Sequence, residues 1–296
     1  MNVLLTGASG FLGRNITQIL TARGHLVRPI SRRQGIDMCR LLAPADWQPH
    51  LAGIDAVINA AGIIGESRRQ RFDALHRRAP IALFQACERA GIRRVVQISA
   101  LGADETAVSP YHLSKRAADT ALRQLDLDGI VLRPALIYGR GGTSAAMFMR
   151  LASLPLIPVL EGGDQKIQPV HVSDVVDIVA RAVCPVSPPI PMKLPMKSPL
   201  DIAGPQTLAF TDWLQALRAA QGLPPGRFVH LPRHLAMGMF YLARPFHPMA
   251  SPDNLRMLSQ GMCADSRDAE GFLGRALLHP QTRLQFEDAS ILQGQP

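Results

Sequence analysis

The eight residues Thr6-Gly7-Ala8-Ser9-Gly10-Phe11-Leu12-Gly13 constrain this chain more than any other stretch. They follow the apolar run Asn2 to Leu5, which reads as a buried strand. They precede Arg14 to Arg23, where Ile16, Ile19 and Leu20 recur at helical spacing and Gly24 supplies a stop. Three glycines therefore fall on a strand-to-helix turn. Glycine has no Cβ to hold a ligand away, and a helix N-terminus offers unpaired N–H groups and partial positive charge, which suits a pyrophosphate. The spacing is G-x-x-G-x-x-G, not the simplest dinucleotide fingerprint G-x-G-x-x-G; its place between strand and helix carries the signal.

Short apolar runs then alternate with helical segments. Strands are expected at His25 to Ile30, weakly at Gln34 to Met38, at Ile54 to Ala60, Arg94 to Ser99 and Gly129 to Pro134. Helices are expected at Phe72 to Ala90, Tyr111 to Leu125, Ser144 to Ser153, Asp174 to Val183 with Ser173 as its cap, and Thr211 to Gln221. Leu200 to Ala203 resumes as a short strand, and Ser251-Pro252-Asp253 has the signature of a helix start, closed by Gly261. This rhythm predicts an α/β fold: a Rossmann-type doubly wound parallel sheet with a smaller C-terminal substrate-side subdomain. The expected division is 1–165, with 166–184 returning to the sheet, and 185–296. Six prolines among residues 185–199 mark a connector. The apolar run Leu235 to Ala243 reads as a core helix, with a membrane-surface helix as its alternative.

The chain has 296 residues, 47% of them hydrophobic and 19% charged, enough for a sizeable core. No apolar run approaches a membrane span, and at the start of the chain no basic stretch precedes an apolar one, so no secretory signal is expected. Cys39, Cys87, Cys184 and Cys263 are far apart and form no C-x-x-C, so they read as unrelated buried thiols with no metal site. A reducing, cytoplasmic setting fits. The net charge of +9 raises nucleic acid as a partner, but the densest basic cluster, Arg68 to Arg78, holds a single aromatic residue, Phe72, and no interleaved series to stack successive bases. That cluster reads as a solvated helix face, with an acidic protein or anionic membrane surface as the alternative partner. Its repulsion across a two-fold axis makes a monomer as admissible as a homodimer.

Tyr111 and Lys115 stand one helical turn apart on one face. An ammonium there favours phenolate and lowers the tyrosine pKa, so that the phenol can exchange a proton with a carbonyl or alcohol oxygen. Ser99, at the end of the preceding strand, can hold the same oxygen. His230 and His234 are separated by Pro232, which breaks the helix that a metal pair needs.

These stretches, with Asn59-Ala60-Ala61-Gly62, Arg133-Pro134 leading to Tyr138-Gly139, and Gln168 to Asp174, resemble the short-chain dehydrogenase/reductase superfamily in its extended or atypical branch. That branch holds the nucleotide-sugar epimerases and proteins similar to an accessory subunit of respiratory complex I. The resemblance implies Tyr111 as general acid/base, Lys115 as its partner and a ribose ligand, and Ser99 as substrate-orienting. It implies that Thr6, Gly7, Ser9, Gly10, Phe11, Leu12 and Gly13 carry the dinucleotide. Ala60, Ala61 and Gly62 would pass the adenosine half, Asp37 would reach the adenine, and the backbone at Pro134 and Ala135 would meet the carboxamide. His171 is expected to pack near the cofactor without chemistry. Two departures, Ser99-Ala100-Leu101-Gly102 without a second hydroxyl and Asp119 in place of a common glutamate, weigh against a nucleotide-sugar substrate.

The second strand ends Pro29-Ile30-Ser31-Arg32-Arg33, with no carboxylate to bind ribose hydroxyls. Two guanidiniums suit a 2′-phosphate, so NADP(H) is expected over NAD(H). Met147, Phe148, Leu154, Leu156 and Ile157 are expected to line an apolar small-molecule substrate pocket. Two functions follow: an NADP(H)-dependent oxidoreductase or epimerase-like enzyme acting on a carbonyl or alcohol, or a non-catalytic NADPH-binding protein like the complex I subunit.

Overall fold

Alternation along the strands divides the core into two layers. Val3 and Leu5 face one side of the sheet and Leu4 the other; Ala56 and Ile58 oppose Val57, and Val96 and Ile98 oppose Val95. The computed structural model describes residues 1–184, 198–243, 253, 255, 257 and 261–280. In chain order it begins with β1 (Asn2–Thr6), α1 (Phe11–Ala22), β2 (Leu26–Ile30), α2 (Pro44–Leu51), β3 (Ala56–Asn59), α3 (Ala79–Arg89), β4 (Arg94–Ile98), α4 (Pro110–Gln124) and β5 (Asp128–Pro134). It continues with β6 (Ile137–Tyr138), α5 (Thr143–Ser153), β7 (Leu156–Leu160), β8 (Lys166–Ile167), β9 (Val170–His171) and α6 (Val172–Val183). Then come β10 (Leu200–Ile202), β11 (Leu208–Ala209), α7 (Phe210–Ala220), β12 (Arg227–Leu231), α8 (Arg233–Ala243) and α9 (Arg267–Leu273).

Six strands form one sheet in the order β10-β5-β4-β3-β1-β2, and every neighbouring pair is parallel. Helices α1, α6 and α9 cover one face, and α2, α3 and α4 cover the other. The fold class is therefore the one the sequence implies. From β1 the chain first adds β2 on one side and then β3 on the other. That reversal opens a crevice beyond the carboxyl ends of β1 and β3, where such sheets bind ligands.

The glycine turn fits its surroundings closely. Gly7 has φ +67°, and a Cβ there would lie 2.7 Å from the Ala60 carbonyl oxygen. A Cβ on Gly13 would lie 2.2 Å from the Gly7 carbonyl oxygen, so α1 packs on the turn through bare backbone.

A second unit sits beside the carboxyl ends. Its core joins Phe148 and Ala152 of α5, Ile157 and Val159 of β7, and Phe210, Trp213, Leu214 and Leu217 around α7. β7 pairs in parallel with β12, and β8 pairs antiparallel with β11, so chain from both sides of α6 builds this unit. The last described stretch returns to the sheet: Arg275 bonds Asp174 at 2.7 Å and Asp177 at 3.0 Å, and Phe272 and Leu273 enter the core of the α1/α6 layer.

Several local expectations change. The weak strand at Gln34 to Met38 is instead two 3₁₀ turns, Arg32–Gln34 and Met38–Arg40, capped by Ser31 and Asp37; side-chain capping there competes with strand pairing. The helix expected from Phe72 opens with a wide π turn, Asp73–Arg78, before α3. The N-cap of α6 is His171, not Ser173; its Nδ1 accepts from the Ser173 N–H at 3.2 Å. Of the four cysteines, only Cys87 is fully buried, and Cys263 is exposed. Helix α8 is not a core helix: Ala236 is buried, but Leu235, Met239 and Tyr241 are exposed. The proline-rich connector at 185–197 lies outside the described residues. So does most of the helix expected from Ser251, except that Asp253, Leu255 and Met257 are helical.

Because no side chain near Gly13 can move to admit a methyl, Gly13→Ala is expected to cost about 3 kcal/mol of stability. Urea unfolding measures it; an unchanged midpoint would show that the turn and α1 separate easily.

Candidate functional site

The cleft at the switch point is walled by three strand ends. Gly7, Ser9 and Gly10 come from the turn after β1, Ile30 to Arg32 from the end of β2, and Ala60 to Ile63 from the end of β3; Ile36, Asp37 and Met38 close the outer side. Its volume is about 140 Å³. Gly7, Gly10 and Gly62 line it with backbone alone, and the N-terminus of α1 begins there with Gly10 as N-cap. These features fit a dinucleotide: close backbone approach, a helix terminus for the pyrophosphate, and apolar walls at Ile30, Ile36 and Met38 for a base.

A wider cavity of about 570 Å³ continues outward and is lined by Arg32, Asp37, Cys39, Arg40, Arg69 and Gln70. Of the two arginines singled out after β2, Arg32 lines both cavities and Arg33 lines neither. Arg40 and Arg69, which the sequence reading did not single out as ligands, join Arg32 there. Ser31 is committed locally, donating to Gln34 Oε1 in a short hydrogen bond and accepting from the Arg33 N–H. Asp37 Oδ1 accepts from the Cys39 N–H at 3.0 Å.

Other expected ligands sit behind the cleft. Thr6 Oγ1 donates to Asn59 Oδ1 at 2.5 Å, tying β1 to β3. Phe11 lies against Gly139 and Gly142, and Leu12 packs toward the core. The Ala135 N–H donates to Ile202 O, and Pro134 O accepts from the Leu101 N–H; these groups join β5 to its neighbours.

Tyr111 and Lys115 rise from the first turns of α4, whose N-cap is Ser109 with Pro110 in the first turn. Lys115 is buried, and its Nζ donates to Ile98 O at 2.9 Å. A Cβ on Gly62 would lie 3.3 Å from that nitrogen, so Lys115 stands directly behind the cleft wall. The pKa pattern departs from the sequence expectation. Burial pushes the Tyr111 phenol up to about 12, with the Asp119 charge adding to the rise. Burial also pulls the Lys115 ammonium down to about 8, against Asp119, which raises it. Desolvation is the largest cause of both shifts, and Tyr111 keeps its proton at neutral pH.

Ser99 is also differently engaged. Its Oγ donates to Asp119 Oδ2 at 2.5 Å, while Gln97 Nε2 reaches Asp119 Oδ1 at 3.4 Å and Arg133 Nε lies 3.8 Å from Oδ2. Asn59 Nδ2 donates to Gln97 Oε1 at 2.7 Å. A buried polar line thus runs from Thr6 through Asn59 and Gln97 to Asp119 and Ser99.

His76 was missed at the sequence level. The π turn brings Leu75 and His76, consecutive residues, both to the interior. His76 Nε2 accepts from the Ile63 N–H at 3.0 Å, and Nδ1 pairs with Ser114 Oγ at 3.1 Å. Its ring stacks on Phe72 and meets Tyr111 edge-on, with centroids 5.5 Å apart. Burial, then the Lys115 charge, hold it well below its usual value, so it is a neutral acceptor. The expected solvated helix face at Arg68 to Arg78 is therefore broken. Arg69 faces the wide cavity, Arg77 pairs with Asp73, and His76 enters the site.

The predicted apolar pocket lining does not assemble. Phe148 and Ile157 are interior to the smaller unit, with Met147 packed against it, and Leu154 and Leu156 are on its surface. His171 is buried, edge-on to Tyr138.

The NAD dependent epimerase/dehydratase family matches residues 3–187. The ceramide reductase of Caulobacter vibrioides is 31% identical over 184 residues, which is 58% of this chain and 57% of the relative. NADH dehydrogenase [ubiquinone] 1 alpha subcomplex subunit 9 of Arabidopsis thaliana is 31% identical over 198 residues, 60% of this chain and 48% of the relative. The chain thus spans about half the length of these curated relatives. The structure of MoeE5 in complex with UDP-glucose and NAD superposes with TM-score 0.72 at 20% identity, covering 99% of this chain and 100% of the other.

His76 gives the site a pH signature. The unfolded imidazole takes a proton near pH 6.5, whereas the buried one does not. Stability is therefore full above pH 6.5 and falls as pH drops below it, by up to about 1.4 kcal/mol per pH unit. Urea unfolding across pH 5–8 is expected to show this fall and to show it flattened in His76→Asn. An identical slope in the variant would place the proton uptake elsewhere.

Proposed function

Because the chain belongs to the NAD dependent epimerase/dehydratase family, we propose that it is an NADP(H)-dependent reductase of a carbonyl group on a small, largely apolar substrate. The observation that carries this is the position of Lys115. Its ammonium stands behind Gly62, a wall residue of the dinucleotide cleft, one helical turn from Tyr111. Gly7, Ser9, Gly10 and the start of α1 hold the pyrophosphate, Ala60 to Gly62 pass the adenosine, Asp37 reaches the adenine, and Lys115 reaches the nicotinamide ribose. A nicotinamide bound there supplies the two-electron chemistry of the family.

Tyr111 gives its phenolic proton to the substrate oxygen. A phenol held up to about 12 is protonated in the resting protein, which suits reduction of a carbonyl. Lys115 stabilises the phenolate formed, since a charge developing on Tyr111 strengthens their attraction. Asp119 holds the Ser99 hydroxyl in one orientation, and His76 fixes the backbone at Ile63 and one face of the Tyr111 ring.

The preference for the phosphorylated nucleotide rests on Arg32, Arg40 and Arg69 around one cavity, three guanidiniums against the single carboxylate of Asp37. The apolar substrate is supported by the named activity of the Caulobacter vibrioides relative and by the departures at Ala100 and Asp119 from the sugar-epimerase pattern.

A second reading, a non-catalytic nucleotide-binding protein, draws on the Arabidopsis thaliana relative and on Ser99, whose hydroxyl is already donated to Asp119. Turnover separates the two. NADPH oxidation with a panel of long-chain ketones is expected from the native protein. Tyr111→Phe is expected to lose roughly 10²–10⁴-fold in rate with unchanged nucleotide affinity. If no carbonyl compound oxidises bound NADPH, the binding-protein reading stands instead.

For the nucleotide itself, Arg32→Ala is expected to weaken NADPH roughly 10–100-fold, as for loss of charge-assisted hydrogen bonds, and to leave NADH unchanged. Calorimetric titration of both nucleotides checks this; equal weakening would remove Arg32 from the 2′-phosphate.

A further inference from the structure

We propose that the outer face of the smaller unit, formed by α8 and the β7/β12 ribbon, rests on an anionic lipid surface. The proposal stands on this face alone and does not depend on the catalytic reading. Within the ribbon, Phe228, Ile157 and Val159 point to the core of the smaller unit. Residues of the other parity, Leu156, Leu160, Val229 and Leu231, point away from it. Helix α8 covers one end of that outer face, where Ala236 and Met237 pack on Leu160, Leu231 and Leu255. The other end is bare: Leu156 is 55% exposed and Val229 40%.

The helix is apolar on its open side too. At 100° per residue, Leu235, Gly238 and Met239 fall within about 100° of arc, opposite the packed residues. Leu235 is 52% exposed and Met239 57%, with Tyr241 at 67% beside them. A helix that is apolar all round is normally covered on all sides. Among the described residues, no helix is long and apolar enough to cross a membrane, so the face would lie on a bilayer instead of entering it as a span.

Charge selects the occupant. No Asp or Glu occurs from residue 213 to residue 252, while Arg227, Arg233, Arg244, His230, His234 and His247 all fall in that stretch. Arg227, His230, Arg233 and His234 are exposed; Arg227 is paired with Leu156 at the bare end of the ribbon, and Arg233 and His234 open α8. One exposed carboxylate, Glu161 just past β7, adjoins the face where its backbone meets Leu231 and His230, against the exposed guanidiniums of Arg227 and Arg233. Leu, Met and Tyr with this excess of cations match the boundary between acyl chains and anionic headgroups. An apolar protein surface would match Leu235 and Met239 but leave the excess of cations unanswered.

Flotation with vesicles tests the proposal. The full chain is expected to float with phosphatidylglycerol-containing vesicles, to bind phosphatidylcholine vesicles roughly tenfold more weakly, and to be released by high salt. The double variant L235E/M239E is expected to lose roughly tenfold or more in binding while its NADPH affinity, measured by fluorescence, is unchanged. R227E/R233E is expected to abolish the preference for the anionic vesicles. Failure of the native protein to float with anionic vesicles would overturn the proposal, as would variants that bind as tightly as it does. A dimer in light scattering that L235E/M239E dissolves, without vesicle binding, would overturn it in favour of a second copy on this face.

Discussion

Everything at the carboxyl edge of the sheet depends on how closely α1 can approach the end of β1. The contact is backbone on backbone: a Cβ on Gly13 would stand 2.2 Å from the Gly7 carbonyl oxygen, and one on Gly7 would stand 2.7 Å from the Ala60 carbonyl oxygen. The first contact sets the helix N-terminus over the crevice, and the second brings the end of β3 against the same turn. Any side chain at either position would push the helix away from the crevice or splay β1 from β3, and the anion-binding terminus would no longer face the strand ends.

Behind that edge, polar groups are paired with one another across four elements. Thr6, Asn59 and Gln97 link β1, β3 and β4, and Gln97 and Ser99 then meet Asp119 on α4. Buried hydrogen-bonding groups are costly when unpaired and well ordered when paired. The line therefore fixes α4 relative to the strand ends, and with it the Tyr111–Lys115 face. Dehydration of this region, more than mutual attraction, sets the protonation states, with a neutral His76, a protonated Tyr111 and a Lys115 brought down to about 8. The site holds its proton on the phenol, the form that a carbonyl oxygen can use.

Much of this was legible in the chain. The glycine turn, the buried strands and the Tyr111/Lys115 spacing depend on local rules of period and backbone shape, and the sheet follows from their order. What escaped depended on tertiary context. Gln34 to Met38 contains an apolar pair, Ile36 and Met38, but Ser31 and Asp37 offer their oxygens to nearby N–H groups and curl the segment into turns. His76 shares a stripe with Ala79 and Leu83, three and seven residues on, so a sequence signal for an inward histidine was present; the π turn that seats it beside Tyr111 was not readable. Lys115 was expected to lower the tyrosine pKa because spacing alone carries no information on burial. In the same way, Leu235 to Ala243 looked like core because every residue suited it, and only the fold reveals that Leu235, Met239 and Tyr241 are exposed.

A crystal structure grown with NADPH tests whether the crevice above β1 and β3 holds a phosphorylated dinucleotide. The pyrophosphate is expected at the Gly10 end of α1, the 2′-phosphate among Arg32, Arg40 and Arg69, and the nicotinamide ribose within hydrogen-bonding distance of Lys115. Nucleotide bound elsewhere, or a crevice that excludes it at saturating concentration, would overturn that assignment.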